Sequence, residues 1–160
     1  NDCKYGHSAL DGVMTLTLIK SGIEPNPTAD QEEHTFTYAL YPHAEGWRQA
    51  KTVQEAMKLN QPALSAEGGC AGDETSFVWI DKQNVIIETV KEAEDGDGVI
   101  IRLYESENAR TKAHISFEKP VASVESCDCV EKTKETVCVA GDGFDITIKP
   151  YEIQTYRVRF

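Results

Sequence analysis

The stretch from Asn84 to Tyr104 reads NVIIETVKEAEDGDGVIIRLY and decides the fold class of this chain. It contains two runs rich in isoleucine and valine, Asn84–Val90 and Val99–Tyr104. Between them lies Ala93–Gly98, which consists mainly of acidic residues and glycine. Asp-Gly pairs accept the positive φ values that tight hairpin turns require. The stretch therefore predicts two strands joined in a β-hairpin.

Strand patterns continue on both sides of this hairpin. Val13–Ile19 and Thr35–Leu40 alternate apolar and polar residues, which is the two-residue period of a half-buried strand. The remaining runs of this kind are Ser76–Ile80, Ala113–Phe117, Ser123–Cys127, Asp145–Ile148 and Glu152–Phe160. Ala140–Gly143 has the same turn chemistry as the first hairpin. Short strands at this spacing predict an all-β chain, an antiparallel β-sandwich that ends in an immunoglobulin-like sandwich.

One short helix and one domain boundary complete the predicted organisation. Apolar residues recur at helical spacing between Gln49 and Leu59, and Pro62 disfavours helix in the residue before it. The small, polar, glycine-rich stretch Ser65–Glu74 predicts a boundary. Residues 67–160 offer enough strands for a small sandwich with its own core. Residues 1–66 offer two or three strands, which cannot bury both faces alone, so we expect them to complete a larger sheet.

Composition excludes several classes of function. The net charge is −11 and the 16 basic residues are scattered, whereas phosphate backbones and anionic membranes require clustered Lys and Arg. We therefore expect no nucleic acid and no membrane as partners. The five cysteines have no regular spacing, which favours reduced thiols and a cytoplasmic location and leaves a single Cys129–Cys138 bridge open. The chain begins at Asn1 without methionine, so we expect a piece of a longer protein.

No catalytic or metal-binding constellation emerges from the residues. Cys127, Cys129 and Cys138 lack a fourth ligand and the spacing of a zinc knuckle, so we expect ordinary thiols. His34 and His43 flank a predicted strand at opposite ends, so we expect each to bind its own loop rather than a shared metal. A calcium loop starting at Asp95 would need glycine where Ile100 stands. Paired acids on loops and serines outside a nucleophile elbow indicate neither a general acid nor a serine hydrolase.

Seven segments, in order along nearly the whole chain, resemble glycoside hydrolase family 38, the α-mannosidases. They are Asn1–Gly6 (NDCKYG), Pro25–Asp30 (PNPTAD), His34–His43 (HTFTYALYPH), Leu59–Pro62 (LNQP), Val90–Gly96 (VKEAEDG), Ile101–Glu105 (IRLYE) and Glu152–Tyr156 (EIQTY). The chain departs from the family at Lys20-Ser21-Gly22, where members often have RSP, at Asn26, where they often have Asp, and at Glu32, where they often have Gly. The residues of the VKEAEDG and IRLYE segments resemble those of the cytosolic and microbial branch of the family more closely than those of its other branches.

The resemblance implies a non-catalytic role for this chain within a zinc-dependent, retaining α-mannosidase. Family members use an acidic nucleophile, a second carboxylic acid and a zinc ion that grips sugar hydroxyls. These groups belong to an N-terminal domain outside this chain, so we assign no catalytic residue, metal ligand or cofactor here. Residues 1–66 would be the last strands and helix of the large mannosidase sandwich. The partners would be the rest of the parent chain and, through it, a mannose-containing saccharide.

Two further hypotheses concern sugar recognition. In the whole enzyme, the loop bearing Asp2, Lys4 and Tyr5 would reach the rim of the sugar site, although interdomain hydrogen bonding is the simpler interpretation. Alternatively, the chain is an independent carbohydrate-binding sandwich with Trp47 or Trp79 as a stacking platform. Nothing in the sequence aligns these two tryptophans. An adhesion sandwich of immunoglobulin type fits the strand count but leaves the N-terminal half unexplained.

Overall fold

A computed structural model describes residues 5–68 and 75–160. The chain divides into two compact units, Asn1–Gly68 and Gly69–Phe160.

The first unit holds one small hairpin and one helix. Strands β1 (His7–Leu10) and β2 (Val13–Leu16) pair antiparallel, with His7 opposite Leu16. The two turn residues, Asp11 and Gly12, have φ values of 51° and 77°. Positive φ at both positions matches the right-handed twist of the flanking strands, which explains the Asp-Gly pair. Helix α1 spans Thr52–Asn60, and the N–H of Gln61 closes its last turn by donating to the carbonyl of Met57.

The first unit contains fewer paired strands than the sequence predicts. The run Val13–Ile19 is a strand only as far as Leu16, and Thr35–Leu40 is not a strand. The predicted helix Gln49–Leu59 is present from Thr52 onward, but none of its residues is buried. An alternating pattern indicates a suitable strand surface, whereas a strand forms only where a neighbour satisfies its backbone groups.

The second unit contains nine strands, and all of their described pairings are antiparallel. The strands are β3 (Val78–Ile80), β4 (Val85–Glu92), β5 (Val99–Glu105), β6 (Thr111–Phe117), β7 (Ser123–Cys127), β8 (Thr133–Val137), β9 (Val139–Ala140), β10 (Gly143–Ile148) and β11 (Ile153–Arg159). One sheet has the order β3-β6-β10-β9 and the other has the order β4-β5-β11-β7-β8. The predicted hairpin is therefore confirmed as the β4–β5 pair.

The core of the second unit lies between its two sheets. Alternate residues of β6 and β10 point inward from one sheet, and residues of β5, β7 and β11 do so from the other. The fully buried members are Val85, Ile101, Leu103, Ile115, Phe117, Val124, Phe144, Ile148 and Val158. Phe117 stacks on Phe144, and the ring centroids lie 6.2 Å apart. This arrangement confirms an antiparallel β-sandwich.

Two glycines permit backbone contacts that a side chain would block. A Cβ atom on Gly143 would lie 1.8 Å from the carbonyl oxygen of Ile115, on the neighbouring strand. Gly98 has a φ of 96°, and a Cβ atom there would lie 2.7 Å from the carbonyl oxygen of Val158. Both glycines therefore belong to the close approach of strands rather than to loop flexibility.

Candidate functional site

The described part of the Tyr5 loop is anchored to the polar segment that follows β2. The hydroxyl of Tyr5 donates to Asp30 Oδ2 at 3.3 Å, and the hydroxyl of Ser21 donates to the same atom at 3.0 Å. His34 Nε2 lies 3.1 Å from the carbonyl oxygen of Asp30. Asp2 and Lys4, the other two predicted rim residues, lie outside the described residues. Asp30 thus binds the side chains of Tyr5, Ser21 and His34.

The two histidines around the predicted strand have separate partners, as expected. His34 binds the carbonyl of Asp30, whereas His43 Nδ1 lies 2.5 Å from the carbonyl oxygen of Glu45. Each ring therefore fixes the loop on its own side. Within residues 5–68 and 75–160, no three His, Cys, Asp or Glu side chains are grouped to hold a metal ion.

The Asp95–Gly98 turn binds arginines. Arg157 Nη1 donates to both carboxylate oxygens of Asp95, at 2.9 and 2.7 Å, and only 7% of the Arg157 side chain is exposed. Arg159 donates to Asp97 and to Glu125. These contacts connect the β4–β5 turn to the last strand, about sixty residues later. The sequence does not reveal Arg157, because it occupies an alternating position that usually faces solvent.

These ion pairs lower the pKa values of the carboxyl groups in the turn. Hydrogen bonding by Arg157, then by the backbone N–H of Asp97, holds the pKa of Asp95 below its ordinary value. Hydrogen bonding by Arg159 likewise lowers the pKa of Asp97. Both carboxylates are therefore ionised at neutral pH, and their role is to bind cations of the protein itself.

Glu105, the last residue of the IRLYE segment, is a buried carboxylate with only 1% of its surface exposed. It accepts hydrogen bonds from Asn84 Nδ2 at 2.9 Å, from the N–H of Glu107 at 2.7 Å and from the N–H of Tyr151 at 3.1 Å. Burial raises the pKa of Glu105, but these donors more than offset it, so the pKa lies below the ordinary value. Glu105 therefore joins three chain segments as an anion.

A general acid requires a pKa that is raised above its ordinary value. Every carboxyl group with a resolved pKa shift among the described residues is shifted downward: Asp81, Asp95, Asp97, Glu105 and Glu131. Glycosidase acids need a raised pKa to stay protonated at neutral pH. The described part of the chain thus offers carboxylates suited to ion pairing.

The described cysteines are free thiols at separate places on the second unit. Cys127 is buried, whereas Cys129 and Cys138 are exposed. Cys127 is opposite Thr133 at one end of the β7–β8 pair, and Val137 is opposite Val124 at the other end. Five residues of strand span roughly 16 Å, beyond the reach of a disulfide, so a Cys129–Cys138 bridge is excluded. Cys3 and Cys70 lie outside the described residues.

The two tryptophans differ in their surroundings. Trp47 belongs to the first unit, and the guanidinium carbon of Arg48 lies 4.7 Å from its ring centroid. Trp79 lies on β3 in the second unit, with 45% of its surface exposed. On the same face of that sheet, His114 Nδ1 lies 2.7 Å from Asp145 Oδ1, and the N–H of His114 donates to Asp81 Oδ1 at 2.7 Å. The sequence left the orientation of Trp79 open.

Sequence comparison places these features in a family. Residues 84–156 match the model of the glycosyl hydrolases family 38 C-terminal beta sandwich domain. Alpha-mannosidase G of Dictyostelium discoideum is 32% identical over 165 residues, which cover 98% of this chain and 15% of that protein. Alpha-mannosidase 2C1 of Homo sapiens is 30% identical over 160 residues, which cover 96% of this chain and 15% of that protein. The alpha-mannosidase of Saccharomyces cerevisiae is 28% identical over 185 residues, which cover the whole chain and 17% of that protein.

The chain therefore spans about one sixth of the length of these relatives. None of the helices in the described ranges has the length and apolar character needed to cross a bilayer. The motif residues Glu105, Asp95 and Tyr156 all act within the sandwich, where Tyr156 packs against Phe144 with 4.9 Å between ring centroids. The domain match covers this sandwich from β4 to the middle of β11, and the relatives align along nearly the whole chain. Residues 84–156 therefore belong to the C-terminal β-sandwich domain of glycoside hydrolase family 38, and nearly the whole chain is similar to part of the alpha-mannosidases.

Proposed function

We propose that this chain is the non-catalytic C-terminal part of an α-mannosidase, and that the whole enzyme hydrolyses terminal α-D-mannosides with retention of configuration. The observation that carries the proposal is the family 38 sandwich match over residues 84–156, together with relatives named alpha-mannosidases. The downward pKa shifts of Asp81, Asp95, Asp97, Glu105 and Glu131 support a structural role for this part. The nucleophile, the acid and the zinc ion then belong to the remainder of the parent chain.

The first unit, residues 1–66 in the predicted division, supplies the last strands and helix of a larger sandwich. None of its described residues is buried. Leu10, Val13, Met14, Tyr38 and Leu40 are among its exposed large hydrophobic side chains. Met14, Leu16, Tyr38 and Leu40 line an apolar groove of about 500 Å³ between the hairpin and the segment Tyr38–Leu40. Such a surface is stable in water only when another part of the protein covers it, and the parent chain is the proposed cover.

The parent enzyme is proposed to work in the cytoplasm on mannose-containing saccharides. Support for the compartment comes from the three described cysteines, which are all unbridged thiols. Support for the substrate class comes from the names of the relatives. Fractionation of cells that express the tagged parent protein tests the location, and recovery of the enzyme from a secretory compartment would contradict it.

The test of the structural role uses the parent enzyme and a chromogenic α-mannoside. Gly143→Ala, which brings a methyl group against the backbone of β6, should lower the temperature at which activity is lost and leave the KM of the folded enzyme unchanged. The 160-residue chain by itself should not hydrolyse the substrate, with or without added zinc. Metal-dependent turnover by this chain alone, or a changed KM with an unchanged Tm, would contradict the proposal.

The Asp2–Lys4–Tyr5 loop is proposed to reach the rim of the sugar site in the parent enzyme. The hydrogen bond from Tyr5 to Asp30 supports a fixed position for the end of this loop. Asp2→Ala and Tyr5→Phe should lower kcat/KM in the parent enzyme, whereas Ser21→Ala, which removes another donor to Asp30, should not. Unchanged kinetics with a lower Tm would assign the loop to interdomain hydrogen bonding instead.

A further inference from the structure

The outer face of the four-stranded sheet carries an exposed aromatic ring beside small residues. Trp79 is opposite Ser116 on β6, and Ser116 is opposite Gly143 on β10. Opposed residues on neighbouring strands lie about 5 Å apart, so the indole lies beside a flat surface made of small residues. Among the described residues, Trp79 has no aromatic or cation–π contact. A planar apolar ring face can therefore approach this indole.

The next row on the same face is polar and fixed in position. His114 is opposite Asp145, and their side chains are hydrogen-bonded at 2.7 Å. Asp81 is held by the N–H of His114 and by Lys82 Nζ, at 2.7 Å in both cases. His114, the nearest residue of this row on β6, is two residues from Ser116. It therefore lies within about 7–8 Å of Trp79. Its side chains surround an open depression of about 440 Å³, which Lys112 and Thr147 also line.

Several polar atoms in this depression point to a ligand with many hydroxyl groups. Among residues 5–68 and 75–160, no protein group bonds His114 Nε2, Lys112 Nζ or the hydroxyl of Thr147. Together with the second carboxylate oxygen of Asp145, these three groups offer hydrogen-bond donors and acceptors to adjacent hydroxyl groups of a ligand. Asp81 and Asp145 disfavour an anion, and the described residues form no metal cluster. A neutral ring with an apolar face and a polar rim fits both rows.

We propose that this surface, comprising Trp79, Asp81, Lys112, His114 and Asp145, is a binding site for a neutral pyranose saccharide. The indole stacks on the apolar face of the sugar ring, and the His114–Asp145 pair binds adjacent hydroxyls. The choice of mannose as the sugar rests on the proposed function, whereas the site itself does not. Exposed single subsites of this kind bind weakly, with a Kd on the order of 1 mM.

Intrinsic fluorescence tests this proposal on the 160-residue chain. The chain has two tryptophans, so a Trp47→Phe variant reports Trp79 alone. Titration with methyl α-D-mannopyranoside and with a linear mannotriose should give a saturable change in emission. His114→Ala and Asp145→Asn should each raise the Kd at least about tenfold. Trp79→Ala should abolish the binding heat measured by calorimetry with the same mannotriose.

The matched control is Glu88→Gln, which removes an exposed carboxylate from the other sheet and should leave the Kd unchanged. Near-ultraviolet circular dichroism verifies that each variant keeps its fold. The proposal is overturned if Trp79 emission shows no saturable response, if glycerol at equal hydroxyl concentration gives the same response, or if Glu88→Gln weakens binding as much as His114→Ala. Because the readout is binding, failure here leaves the hydrolytic role of the parent enzyme untouched.

Discussion

Loss of the Glu105 carboxylate should destabilise the sandwich, because this group connects several segments of the chain. Glu105→Gln keeps the size of the side chain but replaces a charged acceptor of three described hydrogen bonds with a neutral amide. We expect the free energy of unfolding to fall by about 1–3 kcal/mol. Urea denaturation followed by fluorescence measures this change. Glu118→Gln is the control, because Glu118 is exposed and its variant should match the wild type.

The same residue should make stability depend on pH. Its folded-state pKa lies below the ordinary 4.5, so its contribution is complete above that value and is lost as the pH falls through the folded pKa. The difference in unfolding free energy between wild type and Glu105→Gln should therefore be constant near neutral pH and shrink in acid. A difference that grew as the pH fell towards 4.5 would show that the folded-state pKa of Glu105 is raised instead.

Gly143 should tolerate no side chain. In Gly143→Ala, the new methyl group would meet the carbonyl of Ile115 on the paired strand, and a backbone atom cannot rotate away. We expect a loss of at least about 3 kcal/mol, since overpacking against a fixed neighbour exceeds the usual range. Gly141→Ala is the control: it has open space but a φ of 68°, so it should cost only about 1 kcal/mol. Equal losses in the two variants would mean that β6 and β10 can separate.

At the scale of elements, the β4–β5 turn depends on the last strand. Asp95→Asn removes the negative charge from an ion pair in which Nη1 of the buried Arg157 donates to both carboxylate oxygens, and the Tm should fall. The pKa of Asp95 lies below the ordinary 3.8, so this loss is complete above that pH and disappears in strong acid. Thermal melts at pH 7 and pH 2 measure both effects. Glu92→Gln, an exposed neighbour in β4, should change neither melt, and an equal change there would assign the effect to net charge.

Some elements follow from sequence and others do not, for physical reasons. The β4–β5 hairpin and the strand Ser123–Cys127 are predictable, because their alternation and turn chemistry are local. Strand β8 was missed because Thr133–Val137 is almost entirely polar and pairs only as an edge. Thr35–Leu40 has the pattern of a strand but does not form one in the structure. Arg157 was missed because its partner, Asp95, lies 62 residues away.

The candidate sugar surface was equally hidden from sequence. Trp79, His114 and Asp145 lie on three strands, and only the order β3-β6-β10 brings them together. The sequence does show that each occupies an alternating position. It does not show which strands are neighbours, because that depends on long-range pairing. Two of the three predicted rim residues, Asp2 and Lys4, lie outside the described residues.

At the scale of the whole molecule, the two units should differ in local stability. The second unit has a continuous buried core, whereas no described residue of the first unit is buried. Hydrogen exchange of the 160-residue chain should be slowest in β5, β6, β10 and β11 and fast throughout residues 5–68. Within the parent enzyme, covering the first unit should slow exchange in β1 and β2. Equal protection in the isolated chain and in the parent would contradict a covered surface.

The borders of the two sheets limit unwanted growth of the fold. The four-stranded sheet ends in β3, with three residues, and β9, with two, which leave few backbone groups for another chain to bind. The five-stranded sheet ends in β4 and β8, where charged Glu88, Lys91, Lys134 and Glu135 stand on the open edges. Short or charged edges oppose intermolecular β-pairing. The domain can therefore fold during synthesis without its edge strands pairing with those of neighbouring chains.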